Sequence, residues 1–140
     1  MRFPTDHQII TSPFGKRVLN GQPQFHPGVD IRAYFNDPIY APERIKILRH
    51  GKGQAFGENF TVAEGLETGL VMKFIHCGCQ VKDGDTIEEG SIVAMSDCSG
   101  TNAAHLHFEI WPSGSKGWTG SAIDPVENYF AANRISYEII

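Results

Sequence analysis

At 140 residues the chain has room for one domain with a real hydrophobic core and too little for two ordinary ones. An apolar fraction of 41% against a charged fraction of 20% excludes a disordered chain. The net charge of −4 argues against a nucleic-acid backbone as the main partner, because such binders carry a basic face.

The first residues, Met1-Arg2-Phe3-Pro4-Thr5-Asp6, lack the apolar run and small-residue cleavage site of a secretory leader. The expectation is a protein released by lysis, carried on a larger particle such as a virion, or separated from its leader. No apolar stretch along the chain is long enough for a membrane span. Helical periodicity is scarce, and the predicted strands are 38–41, 44–48, 60–63, 70–76, 92–95 and 105–111. Each is rich in β-branched or aromatic residues and bounded by Gly, Pro, Asn or Asp. Asp83-Gly84 and Glu89-Gly90 mark turns in a hairpin between Val81 and Val93. Residues 125–133 read as a short helix, with Asp124 as its cap and Pro125 in its first turn. The fold class is therefore all-β, a single domain over residues 1–140 with a central, mostly antiparallel sheet. Cys77, Cys79 and Cys98 are an odd number, and the gap between the first two is tight for a structural zinc, so they read as free thiols.

The first chemical cluster along the chain is Phe25-His26-Pro27-Gly28-Val29-Asp30. On a straight strand His26 and Asp30 would stand about 13 Å apart, too far for one ion. A shared site needs a bend, which Pro27-Gly28 suits because glycine accepts backbone angles that other residues avoid. A plain turn with a chance His and Asp is the competing reading. The second cluster is His105-Leu106-His107-Phe108-Glu109-Ile110-Trp111. Strand alternation puts His105, His107 and Glu109 on one face and Leu106, Phe108 and Ile110 on the core face. The two imidazoles then stand about 7 Å apart at the backbone. An exposed strand face that happens to carry histidines is the alternative. Together the clusters offer His, Asp and His with a further imidazole beside them. Three N/O ligands and an open fourth position are the pattern of a catalytic rather than a structural zinc. A His-Glu-x-x-His helix is absent from the sequence.

His26-Pro27-Gly28-Val29-Asp30, followed far downstream by His105-Leu106-His107-Phe108-Glu109, resembles the paired motifs of the lysostaphin/LytM-type zinc endopeptidases, peptidase family M23. Phe74-Ile75-His76 stands where that family carries a further histidine at a strand end. Thr11-Ser12-Pro13-Phe14-Gly15-Lys16-Arg17 and Ile123-Asp124-Pro125 resemble its flanking segments, so the resemblance spans about residues 11–130. It implies one Zn2+ per chain held by His26, Asp30 and His107, with His105 and His76 as the catalytic histidines beside the attacking water. His105 is assigned chiefly the general-base role and His76 the stabilisation of the oxyanion or a share in proton transfer. The implied substrate is the peptide part of bacterial peptidoglycan, and the resemblance also implies a substrate groove across the central sheet. Glu109 is a candidate partner of His107, against a solvent-facing strand carboxylate. Arg17 contacts substrate or braces the cleft, while Tyr34, Phe35 and Trp118 line its walls or pack. His7 and His50 read as surface residues.

Three places depart from the family pattern: Phe35-Asn36-Asp37-Pro38 replaces a glycine turn, Glu43-Arg44 follows Ala41-Pro42, and Cys77 follows His76. These are expected to alter turns and the cleft rims at residues 34–37, 51–59 and 113–121, and so specificity more than chemistry. Two other readings remain. One is a catalytically inactive LytM-type binding or regulatory domain. The other is a lipoyl or biotin carrier, suggested by Val81-Lys82-Asp83-Gly84-Asp85 and Met72-Lys73-Phe74, which leaves the histidines unexplained.

Overall fold

A computed structural model describes residues 1–52, 59–118 and 121–140. Parts of the rims expected at 51–59 and 113–121 therefore lie outside the described residues. Thirteen strands form among the described residues: β1 (Ile9–Ser12), β2 (Gly15–Leu19), β3 (Gln22–His26), β4 (Val29–Ile31), β5 (Pro38–Tyr40), β6 (Ile45–Lys52), β7 (Asn59–Gly65), β8 (Val71–Ile75), β9 (Cys77–Cys79), β10 (Thr86–Ile87), β11 (Ile92–Ser96), β12 (Leu106–Trp111) and β13 (Glu138–Ile139). Eight of them make one sheet in the order β10-β6-β7-β8-β12-β4-β1-β13, antiparallel except where β13 runs parallel to β1. A second sheet, β5-β11-β9, and the separate hairpin β2-β3 complete the architecture.

The alternation along β12 decides what each face does. Leu106, Phe108 and Ile110, all fully buried, join Phe74 and Met72 of β8, Val29 and Ile31 of β4, and Val93 and Ala94 of the small sheet in one core. Phe108 lies 5.3 Å from the Phe74 ring centroid and stacks on Phe130 at 5.6 Å. The other face carries His107 and Glu109, and beyond them Trp111, which packs with Val62 and Val71 in a second apolar cluster. Because both faces are covered, all six residues of β12 are buried. A buried strand cannot shift by one residue without driving its charged face into the core, so packing fixes the register that positions the site.

All six predicted strands form, with ends shifted by a few residues. The shorter pieces β1 to β4, β9, β10 and β13 went unpredicted because two to five residues carry too little alternation to stand out. The C-terminal helix starts at Pro125, where the Asp124 carboxylate accepts a bond from Val126 N at 2.9 Å. Its body, Val126–Phe130, is wound as a π-helix, with Ala131 N donating to Val126 O. It buries Tyr129 and Phe130 against the core.

Candidate metal centre

His26 ends β3 and Asp30 lies in β4, with a bend at Pro27-Gly28 between them. The bend closes the expected gap: His26 Nε2 stands 3.2 Å from Asp30 Oδ1. Gly28 serves it differently from the expectation, since its φ is outside the left-handed region. A Cβ there would meet Phe108 O at 2.5 Å and His107 Nε2 at 3.0 Å, so close approach of β12 is what demands glycine. His107 and Asp30 are direct partners in the antiparallel β12–β4 pair. His107 Nδ1 accordingly lies 3.1 Å from Asp30 Oδ1 and 3.2 Å from His26 Nε2.

The outward partners of the rings settle which nitrogen carries hydrogen. His26 Nδ1 is 2.8 Å from Pro13 O, a carbonyl that can only accept, so Nδ1–H donates and Nε2 turns its lone pair inward. His107 Nε2 donates to Glu109 Oε2 at 2.8 Å, leaving its Nδ1 lone pair facing inward. Glu109 is itself buried and also accepts from Trp111 Nε1 at 2.8 Å. It is therefore no solvent-facing carboxylate: it fixes the His107 ring. Two imidazole lone pairs and a carboxylate oxygen thus converge at 3.1–3.2 Å. Three acceptors facing one another repel unless a cation lies between them. Ligands about 2.0–2.1 Å from a tetrahedral zinc stand roughly 3.3 Å apart, so both spacing and donor chemistry fit that ion.

Without a metal ion, protons take the cation's place. Burial by itself would raise the Asp30 carboxyl, but hydrogen bonds with His105, His107 and His26 outweigh it and hold the group far below the usual carboxylate range. Burial would lower His107, and the bonds to Asp30 and Glu109 overcome that and raise it to about 9. His105 moves upward for the same reasons, burial opposing and Asp30 prevailing. Arg17 lies on the far side of Asp30, with Nη1 3.4 Å from Oδ2 and 2.9 Å from Ser12 Oγ. Its Nε donates to Gln24 across the β2–β3 hairpin. Arg17 thus braces the cleft, one of the two roles expected of it.

His105 and His76 stand at the same cavity, of about 600 Å³, which is lined by residues 100–103 on one side and the β2–β3 hairpin on the other. Their ring centroids are 4.7 Å apart. His105 Nδ1–H donates to Ala103 O at 2.9 Å and His76 Nδ1–H to Ser99 O at 2.7 Å. His76 adopts φ +68°, a left-handed conformation that costs on the order of 1–3 kcal/mol in a residue other than glycine. All five histidine and aspartate residues singled out in the sequence therefore gather at one cavity. His7 pairs with Asp37, and His50 with Asp83 at 2.5 Å; neither lines that cavity. Tyr34, Phe35 and Trp118 are largely exposed. Asn59, Asp97 and Ser99, which surround His76, were missed because they lie 17 to 23 positions from it and share no motif.

The sequence profile of peptidase family M23 matches residues 24–125. No curated protein sequence matches significantly. Among solved structures, that of LytU is 29% identical, covers 83% of this chain and 80% of its own, and superposes with a TM-score of 0.72. The catalytic domain of the antimicrobial peptidase lysostaphin from Staphylococcus simulans is 27% identical over 83% of this chain and 85% of its own, with a TM-score of 0.66. A zinc-containing peptidase from Vibrio cholerae is 26% identical over 88% of this chain and 38% of its own, with a TM-score of 0.72.

Proposed function

Since the chain belongs to peptidase family M23, we propose that it is a zinc-dependent endopeptidase, one domain over residues 1–140, that hydrolyses peptide bonds in bacterial peptidoglycan. The observation that carries this reading is the convergence of His26 Nε2, Asp30 Oδ1 and His107 Nδ1 as three acceptors with their hydrogens turned outward. These residues would hold the ion. When bound, zinc supplies Lewis-acid polarisation of the scissile carbonyl and makes water nucleophilic near neutral pH.

The remaining steps belong to side chains. His105, with Nδ1–H tied to Ala103 O, keeps Nε2 as the proton acceptor; it takes a proton from the attacking water and returns it to the leaving amine. His76, across the cavity, keeps its Nδ1–H on Ser99 O, so its Nε2 shares in the proton transfer or, once protonated, stabilises the oxyanion. Arg17 and Glu109 hold Asp30 and His107 in place, so neither ligand reorients during turnover. The kinship with lysostaphin, an antimicrobial peptidase, supports the wall as substrate, and the zinc-containing relative supports the metal.

Zinc-loaded wild type and His107→Ala, both shown to be folded, should be compared on purified peptidoglycan. Release of new amino termini by wild type alone, with zinc lost from the variant, is the expected result. A folded wild type that holds no zinc would overturn the mechanism, and one that holds zinc but cuts no wall preparation would overturn the substrate.

A further inference from the structure

His76 sits at the last bend of β8, in a backbone conformation that only a surrounding network can hold. Its N–H donates to Asn59 O at 2.9 Å, and its carbonyl accepts from Asp97 N at 2.8 Å. Its ring is fixed by Ser99 O at 2.7 Å. One carboxylate ties these three partners together. Asp97 Oδ1 accepts from Ser99 N at 2.8 Å and from Ser99 Oγ at 2.6 Å, and Oδ2 accepts from Asn59 Nδ2 at 2.9 Å. Asn59 N in turn donates to Ser99 Oγ at 2.9 Å. The start of β7, the end of β8 and the turn after β11 therefore meet at Asp97.

We propose that Asp97 is a positioning residue for His76: by clamping Ser99 and Asn59 it holds the Ser99 carbonyl where it binds the His76 Nδ1–H, and so fixes that ring's tautomer and direction at the cavity. The inference rests on the peptidase reading of His76. A carboxylate suits the task because it offers two oxygens to several donors at once, whereas an amide offers one. The clamp also accounts for the bent backbone: a left-handed histidine persists only where its neighbours over-determine it. Burial alone would raise the Asp97 carboxyl, but the bonds from Ser99 and Asn59 outweigh it and lower it, as expected of an acceptor whose donors are fixed in the fold.

The test uses the full chain loaded with zinc and two readouts, kcat and KM on solubilised peptidoglycan and the side-chain 15N shifts of His76, assigned with His76→Gln. Asp97→Ala should lower kcat by roughly 10- to 100-fold with KM little changed, because a displaced imidazole costs rate rather than binding. Zinc content should stay at one per chain, and the 15N shifts should leave the pattern of a single Nδ1–H tautomer. Asp97→Asn keeps the shape with one acceptor oxygen, so it should lose about 3-fold and shift less. A folded, zinc-loaded Asp97→Ala with wild-type kcat, or with wild-type His76 shifts, overturns the proposal. Should the alanine variant fail to fold, wild-type shifts in Asp97→Asn overturn it equally. Wild type that cleaves no peptidoglycan would count against the peptidase reading, while the 15N comparison would still decide the role of Asp97.

Discussion

Glu43 and Asp30, the first fully buried and the second only partly, have surroundings of opposite kind. Glu43 is fully buried and enclosed by donors: Oε1 accepts from Glu67 N at 2.9 Å and Thr68 N at 3.0 Å, while Oε2 accepts from Thr68 Oγ1 at 2.9 Å and Tyr129 OH at 2.7 Å. Gly65 lets the carboxylate come this close, since a Cβ there would lie 2.5 Å from Oε1. Asp30 faces ring nitrogens whose hydrogens are turned outward. The first arrangement is complete and ties the β7–β8 turn to the C-terminal helix. The second has Arg17 beside one oxygen and leaves the other facing ring lone pairs, a place that a cation would fill. The direction of the neighbours' hydrogens is what suits Glu43 to a structural role and Asp30 to the metal-holding role proposed for it.

The sharpest way to break this contrast is to truncate both acids. Asp30→Ala should abolish zinc binding and reduce peptidoglycan cleavage by at least about 10³-fold while circular dichroism still reports the fold. Zinc titration checks it, and stoichiometric binding by the variant would refute the assignment. Glu43→Ala should do the reverse. It strands two backbone N–H groups and two hydroxyls, and stability by urea unfolding should fall by about 3–5 kcal/mol, with zinc still bound to the folded fraction. A loss under about 1 kcal/mol would show that water replaces the carboxylate.

Smaller changes sharpen the comparison. Glu109→Gln leaves one acceptor oxygen for the His107 and Trp111 donors, and competition with a chelator should show zinc affinity weakened by roughly 10- to 100-fold. Unchanged affinity would mean that packing alone orients the ring. Tyr129→Phe should cost about 1 kcal/mol at neutral pH. Burial and the neighbouring Glu43 raise the Tyr129 phenol above its ordinary 10.0. The neutral phenol therefore stabilises the fold fully below about pH 10, and that contribution is lost as pH rises beyond it. The alkaline limb of the stability curve should flatten in the variant; parallel limbs would refute the coupling.

Glu43 also shows where local reading stops. In the sequence it is one of two residues after Ala41-Pro42 that depart from a family turn, and the expectation attached to it concerned turns and cleft rims. Its four donors come from positions 67, 68 and 129, so nothing near position 43 signals its burial. Glu109 is half-legible: alternation puts it on the His107 face, but only the packing of Trp111 and Val62 over that face turns a solvent-facing carboxylate into a buried one.

His76 was pointed to only by the family resemblance, whereas the sequence by itself determined the strand alternation of 105–111, the bend at Pro27-Gly28, and the two clusters that supply His26, Asp30, His105 and His107. Each is encoded within a few neighbouring positions, where side-chain chemistry and backbone preference act directly. Only the tertiary structure decided the register that sets His107 opposite Asp30, the need for glycine at 28, the tautomers of the rings and the clamp on His76. These depend on contacts between residues tens of positions apart, and such contacts exist only once the sheet has closed around its core.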